Sequence, residues 1–264
     1  MPRREGFTRH GVPAKPRWAF ASRWNAFRAQ ATTPEIAVIG GGVAGAELAM
    51  AMGFAMQGRA PVRLIDRGSV LKDLDGKARE KMLAAMAQSG IELVENADVI
   101  KVDETGVFLA DGRKIGANFV TGAAGARPHD WQGEIGLAMH EGFIAVNAQL
   151  QSSDPAIFPV GDCAHMTQSP RPKAGVFAVR QAPVLYDNLR AVLSGGTLRD
   201  YVPQKDYLKL ISQGRKSALA EKVGTAFQGK ILWRWKDHID RKFMAQFNAL
   251  APMKPQPLPR VVAR

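Results

Sequence analysis

Residues 36–56 read IAVIGGGVAGAELAMAMGFAM, and this stretch constrains the fold more than any other. A short, wholly apolar run, Ile36–Ile39, enters Gly40-Gly41-Gly42-Val43-Ala44-Gly45, and a helical pattern follows at once. G-x-G-x-x-G alone is a weak signal. Between a buried strand and a helix it is the fingerprint of a dinucleotide-binding βαβ unit. Gly40 permits a tight turn, Gly42 lets a pyrophosphate approach the backbone, and Gly45 lets the helix pack closely on the strand. Free N–H groups at the helix start then face the phosphates. The whole loop, Gly41 included, is a candidate for cofactor contact.

A second strand, PVRLIDR, ends in Asp66, about 20 residues beyond the last glycine. A carboxylate there accepts from an adenosine ribose 2′-hydroxyl and repels a 2′-phosphate, which favours NADH over NADPH. Arg67 next to it weakens that preference. The pattern then predicts a helix over Lys77–Ser89, a third strand at IELVE, and an antiparallel meander over VIKVDETGVFLADGRKI with Asp111-Gly112 as a hairpin signal. NFVTGAAGARP reads as another strand followed by a small-residue turn. Gly125 in that turn leaves room for a cofactor.

The first 33 residues show no clear strand. Arg17–Gln30 fits an amphipathic helix, with Phe20, Trp24 and Phe27 on one side. Further on, FIAV (143–146) reads as a strand. AIFPVGDCAHM (156–166) reads as a β-like run ending in Gly161-Asp162, and an Asp so placed usually holds a hydroxyl-bearing group. Gly175–Leu193 reads as a long helix, introduced by Pro170 and Pro172, whose amino end can point its dipole at an electron-rich group. Trp235, Ile239, Phe243, Phe247 and Leu250 make an apolar stripe at helical spacing, flanked by Arg234, Lys236, Arg241 and Lys242. The tail, APMKPQPLPRVVAR, is Pro-rich and reads as extended.

Composition narrows the classes. A single cysteine, Cys163, excludes an internal disulfide framework or a thiolate zinc site, and no metal site is expected. No apolar run approaches the roughly 20 residues needed to span a bilayer. The amino terminus lacks a secretory h-region, so a cytoplasmic setting is expected. The formal net charge of +12 favours anionic partners such as nucleotides or acidic lipid. No specific nucleic-acid signature accompanies it. Cys163 reads as a small buried residue rather than a redox thiol, and His165 as structural or a proton relay. Lys173 and Arg180 are expected to face solvent or a carboxylate partner, with flavin phosphate or a quinone as the alternatives. The Trp233/Trp235 helix suits either packing or the surface of a membrane.

These motifs together resemble the pyridine nucleotide-disulfide oxidoreductase superfamily, whose FAD domain is interrupted by an inserted NAD(P)H domain. The fingerprint with Glu47 and Asp66 resembles the inserted domain, TGAAGARP (121–128) the crossover back, and IFPVGDCA (157–164) the second FAD motif. Type II NADH dehydrogenase-like enzymes are similar. The flavoprotein module fused in some bacteria to selenide, water dikinase is more so, through PRPKAGVFAVRQ and WRWKDHIDRKFM. The resemblance implies a Rossmann-like three-layer ββα fold. Its divisions would be a crossover segment (1–33), a nucleotide domain (34–127), the carboxy-terminal part of an FAD domain (128–197) and a basic helical extension (198–264). It implies FAD and NAD(P)H as cofactors, with Asp162 on the ribityl chain, Gly161 and Lys173 beside it, and Gly175 opening a helix toward the flavin pyrimidine. Glu47 would lie near nicotinamide and flavin, or be a paired structural acid.

The second G-x-G-x-x-G that such proteins use to grip the ADP of FAD is not found, and about a hundred residues of the usual FAD half are expected to be missing. No Cys-x-x-x-x-Cys pair is present for disulfide reduction. The expected function is an FAD-dependent NAD(P)H:acceptor oxidoreductase, apparently truncated, with a quinone among the candidate acceptors. The alternatives are a nucleotide-binding module that needs a second subunit or the missing half, and a basic protein docked on the inner membrane face.

Overall fold

The protein is described by a computed structural model covering residues 5–222 and 224–248. After a short turn of helix, α1 (Phe7–His10), the elements of the first half alternate. They are β1 (Gly11–Pro13), α2 (Arg17–Gln30), β2 (Ile36–Ile39), α3 (Val43–Met56), β3 (Val62–Ile65), α4 (Gly76–Gln88) and β4 (Ile91–Val94). A meander follows, β5 (Val99–Asp103), β6 (Gly106–Leu109) and β7 (Lys114–Gly116), and then β8 (Phe119–Gly122). The central sheet has the order β1-β8-β2-β3-β4, and every pair in it is parallel.

Strand β2 shows why the chain folds in layers. All four of its side chains are buried, as expected of a parallel strand covered on both faces. Ile36 and Val38 join Ala46, Ala49 and Met50 of α3 and Met82 and Met86 of α4 on one side. Ala37 and Ile39 join Val99, Val102, Val107 and Leu109 of the meander on the other. Helices, parallel sheet and antiparallel meander thus form the expected three layers. The β1 strand was not anticipated. Its three residues carry no pattern of their own, and only pairing with β8 makes them a strand.

A separate small core lies under β9 (Met139–His140), β10 (Phe143–Val146), β11 (Ala164–Met166) and the long helix α5 (Gly175–Ser194). Val146, Leu150, Ala164, Met166, Val184 and Tyr201 fill it. The fully buried Asn188 of α5 donates to the Gln149 and Arg199 carbonyls at 2.7 and 2.9 Å, so the helix is pinned by a satisfied polar group. The expected strand at 157–160 does not form as such. Val160 is extended, but no neighbouring strand pairs with the run.

The basic extension is not wholly helical. Residues 209–229 build an antiparallel sheet of β12 (Lys209–Ser212), β13 (Ala218–Lys222) and β14 (Thr225–Gly229) before helix α6 (Lys230–Asn248). Ile211, Leu219 and Ala226 bury against the α3–α4 side of the main core. Alternation was hidden there because Arg215-Lys216 and Gly214 interrupt a short, mixed sequence. Leu250 and the Pro-rich tail lie outside the described residues.

Candidate dinucleotide and flavin site

Two clefts stand out, one at the carboxy-terminal ends of β2 and β3 and one beside the amino end of α5. In the first, Gly40 adopts φ +115°, a conformation that side chains resist. A Cβ on it would meet the Ala123 backbone at 2.8 Å. A Cβ on Gly45 would stand 1.8 Å from the Gly40 carbonyl oxygen, so this glycine is dictated by the loop's own closure onto α3. Gly42 differs: a Cβ there meets nothing within 4 Å. Its side-chain space is the cleft itself. Gly42 also occupies the cap position of α3 without a capping side chain, leaving first-turn N–H groups unspoken for.

Asp66 closes one side of this cleft. Its Oδ2 accepts from the Gly41 N–H at 2.6 Å and its Oδ1 from the Gly68 N–H at 2.8 Å. The carboxylate therefore fixes the loop, and each oxygen keeps a lone pair for a hydroxyl. Arg67, Ser69, Lys72 and Gly125 line the rest. Gly125 has φ +87° and open space at its Cβ. The donor set and the open cradle at Gly42 fit the phosphate and ribose of a dinucleotide.

The second cleft gathers Gly161, Asp162, Lys173 and the start of α5. Gly161 has φ +71°, and its N–H donates to Gln181 Oε1 at 2.7 Å. Lys173 donates to the Ala164 carbonyl and lies over the Phe143 ring, 4.2 Å from its centre. Burial pulls its pKa down, against the attraction of Asp162 and Cys163. Helix α5 begins at Gly175 behind Ala174, which offers no capping side chain, so its first N–H groups face outward. Half of this donor set suits a polyhydroxyl chain ending in a ring carbonyl, as FAD has.

Lys15 is the residue that sequence reasoning missed. It reaches across from beyond β1 and pairs with Asp162 at 3.1 Å. Nothing in the spacing of two residues 147 positions apart could have announced it. His165 stacks on His140 with ring centres 3.9 Å apart, and burial, His140 and Lys173 lower its pKa. The Cys163 thiol donates to the Val160 carbonyl at 3.2 Å. Glu47 lies in neither cleft lining. It accepts from the Ser212 N–H of β12 at 2.7 Å. Burial raises its pKa, with the Ser212 bond and Lys236 opposing and Asp240 adding to the rise. Arg180 is exposed on α5.

A parallel sheet carries a glycine loop at the end of β2, closed by Asp66, and a second cleft holds Asp162 at the start of α5, the arrangement of a dinucleotide-binding α/β protein. Residues 12–182 match the family described as pyridine nucleotide-disulphide oxidoreductase, and the chain belongs to it. Over 141 residues, half of this chain and 36% of the relative, it is 35% identical to nitric oxide reductase FlRd-NAD(+) reductase of Klebsiella pneumoniae subsp. pneumoniae. Over 138 residues, 49% of this chain and 30% of the relative, it is 33% identical to a glutathione reductase of Burkholderia cepacia. The chain thus spans about a third of the length of these curated relatives. The sulfide:quinone oxidoreductase of Aquifex aeolicus superposes with a TM-score of 0.73 at 16% identity, over 93% of this chain and 66% of that one. The NADH-bound, water-forming NADH oxidase of Lactobacillus brevis gives 0.67 at 22%, over 83% and 49%.

Proposed function

We propose that this chain is the nicotinamide-nucleotide-binding and flavin-contacting portion of an FAD-dependent NAD(P)H:acceptor oxidoreductase. The observation that carries the reading is the open space at Gly42, set between Asp66 and Gly125 at the edge of a parallel sheet. The α3 N–H groups and Gly42 hold the pyrophosphate, and Asp66 accepts from the ribose. Arg67 and Lys72, on the same rim, widen tolerance toward a 2′-phosphate, with NADH the favoured form. Asp162 holds ribityl hydroxyls, and the α5 amino end with Lys173 stabilises electron density on the flavin pyrimidine. When both are bound, nicotinamide supplies a hydride and flavin accepts it. Glu47 is a positioning acid: it joins the fingerprint helix to β12 rather than touching the ring. The acceptor is a small oxidant or redox protein, a quinone among the candidates.

The test is a visible absorbance spectrum before and after FAD and then NADH, without oxygen. Flavin that survives desalting and bleaches with NADH supports an oxidoreductase. NADH binding with no retained flavin favours the reading as a module that needs a second polypeptide.

A second reading rests on α6. Ile231, Trp235, Ile239, Phe243 and Phe247 are exposed along one side, and Arg234, Lys236, Arg241 and Lys242 flank them. Among the described residues no helix is long and apolar enough to cross a membrane, so the stripe suits a helix lying in the interface of an anionic bilayer. Sedimentation with phosphatidylglycerol vesicles tests it. Binding weakened by salt and by Trp235→Glu supports docking, and no binding removes it.

A further inference from the structure

A tyrosine hydroxyl is stranded beside two arginines on the flank of α5. Tyr201 lies in the loop after that helix and is only 6% exposed, within the small core that also holds Val146, Met166 and Val184. Its main-chain N–H donates to the Ala148 carbonyl at 2.8 Å, which fixes the loop. Its hydroxyl is buried and has no hydrogen-bond partner, a state that folded chains rarely tolerate without a reason. The charged groups that act on this hydroxyl are both cations. Burial raises the Tyr201 pKa, and the guanidinium groups of Arg180 and Arg171 oppose the rise. Arg180 comes from α5, between Phe177 and Val184 on one helical face, and Val184 shares the core with Tyr201. Arg171 comes from the Pro-rich turn before α5. Its Nη1 donates to the Pro170 carbonyl at 3.1 Å, and its Nε is buried without a partner. Among the described residues no carboxylate pairs with either arginine.

We infer that Tyr201, Arg171 and Arg180 form a subsite for the carboxylate of a small organic acid. The donors choose the charge. A phenolic O–H, a buried Nε–H and a second guanidinium offer hydrogen bonds together with two positive charges, the combination that matches an oxyanion. A water would satisfy the hydroxyl and the Nε–H but would leave both cations uncompensated, whereas a carboxylate answers all three. The surroundings choose the body of the ligand. Arg171 also lines the second cleft, so the stranded donors adjoin an opening, and Pro172, Phe177 and Ala178 line it with apolar surface. Apolar walls beside a few convergent polar groups suit an organic molecule better than free phosphate. The subsite uses none of the residues read as flavin contacts, Gly161, Asp162, Lys173 and Gly175, and it stands without that reading.

The experiment titrates benzoate, benzyl alcohol and inorganic phosphate into the full chain by calorimetry at constant ionic strength. Benzoate is expected to bind at one site, and benzyl alcohol, which keeps the ring and lacks the charge, is expected not to bind. Arg180→Gln, at an exposed position, and Arg171→Gln should each weaken benzoate at least about tenfold. Tyr201→Phe should weaken it about threefold while its melting temperature equals or exceeds that of the parent, because the hydroxyl it removes has no partner. A hydroxyl that serves the fold alone gives the opposite pair of results, a lower melting temperature and unchanged affinity. That outcome overturns the subsite. So do no benzoate binding, binding indifferent to both arginine variants, and binding of phosphate in place of benzoate. Flavin retention is read by absorbance on the same protein. A chain that binds benzoate and holds no flavin keeps the subsite and removes the flavin reading. A chain that holds flavin and ignores benzoate does the reverse.

Discussion

At the scale of single residues, the three fingerprint glycines are not interchangeable, and their differences are measurable. Gly45→Ala drives a methyl group into the Gly40 carbonyl. It is expected to cost about 1–3 kcal/mol of stability, read as a fall in melting temperature. Gly42→Val enters open space, so its melting temperature should stay close to that of the parent while nucleotide affinity falls. Glu47 gives a prediction in pH. Its folded pKa stands above the ordinary 4.5. The folded state then holds a proton that the unfolded chain releases, so Glu47's contribution to stability is fully present below pH 4.5 and is lost as pH rises through the raised value. Glu47→Gln should flatten that decline in urea midpoints measured from pH 4 upward. A decline unchanged in the variant would assign it to another group.

At the scale of elements, the carboxy-terminal sheet carries one largely buried ion pair. Glu221 of β13 is almost wholly buried and meets Lys209 of β12 at 2.6 Å. Lys209→Ala strands a carboxylate, and about 3–5 kcal/mol of destabilisation is expected. Adding Glu221→Gln should recover much of that loss, and failure to do so would mean that the lysine stem, not its charge, matters.

Elements also mark how far the sequence could be read. The α2, α3 and α4 helices, the β2–β4 strands and the meander follow from periodicity and turn residues, because each carries its pattern locally. Strand β1 and the β12–β14 sheet do not, since their short segments become strands only through partners distant in the chain. The run at Ile157–Val160 is the opposite case. Its residues have a strand-like pattern, and among the described residues no strand pairs with it. Within the site, the glycines and Asp66 were legible because a fixed spacing produces them. Lys15 on Asp162 was not, because only the folded chain brings the two together.

At the scale of the whole molecule, three apolar clusters divide the work. Two of them, on opposite faces of the parallel sheet, bind its helices, the meander and the carboxy-terminal sheet into one body around the first cleft. The third supports Asp162 and α5 with one side exposed. Such an arrangement is expected to hold nicotinamide nucleotide more firmly than flavin. The central claim, that Gly42 faces a bound pyrophosphate, is tested most directly by titrating NADH into the chain and into Gly42→Val by calorimetry. The account predicts one-site binding that weakens at least tenfold in a variant of unchanged melting temperature. Equal affinities in the two proteins, or no binding by the parent, would contradict it.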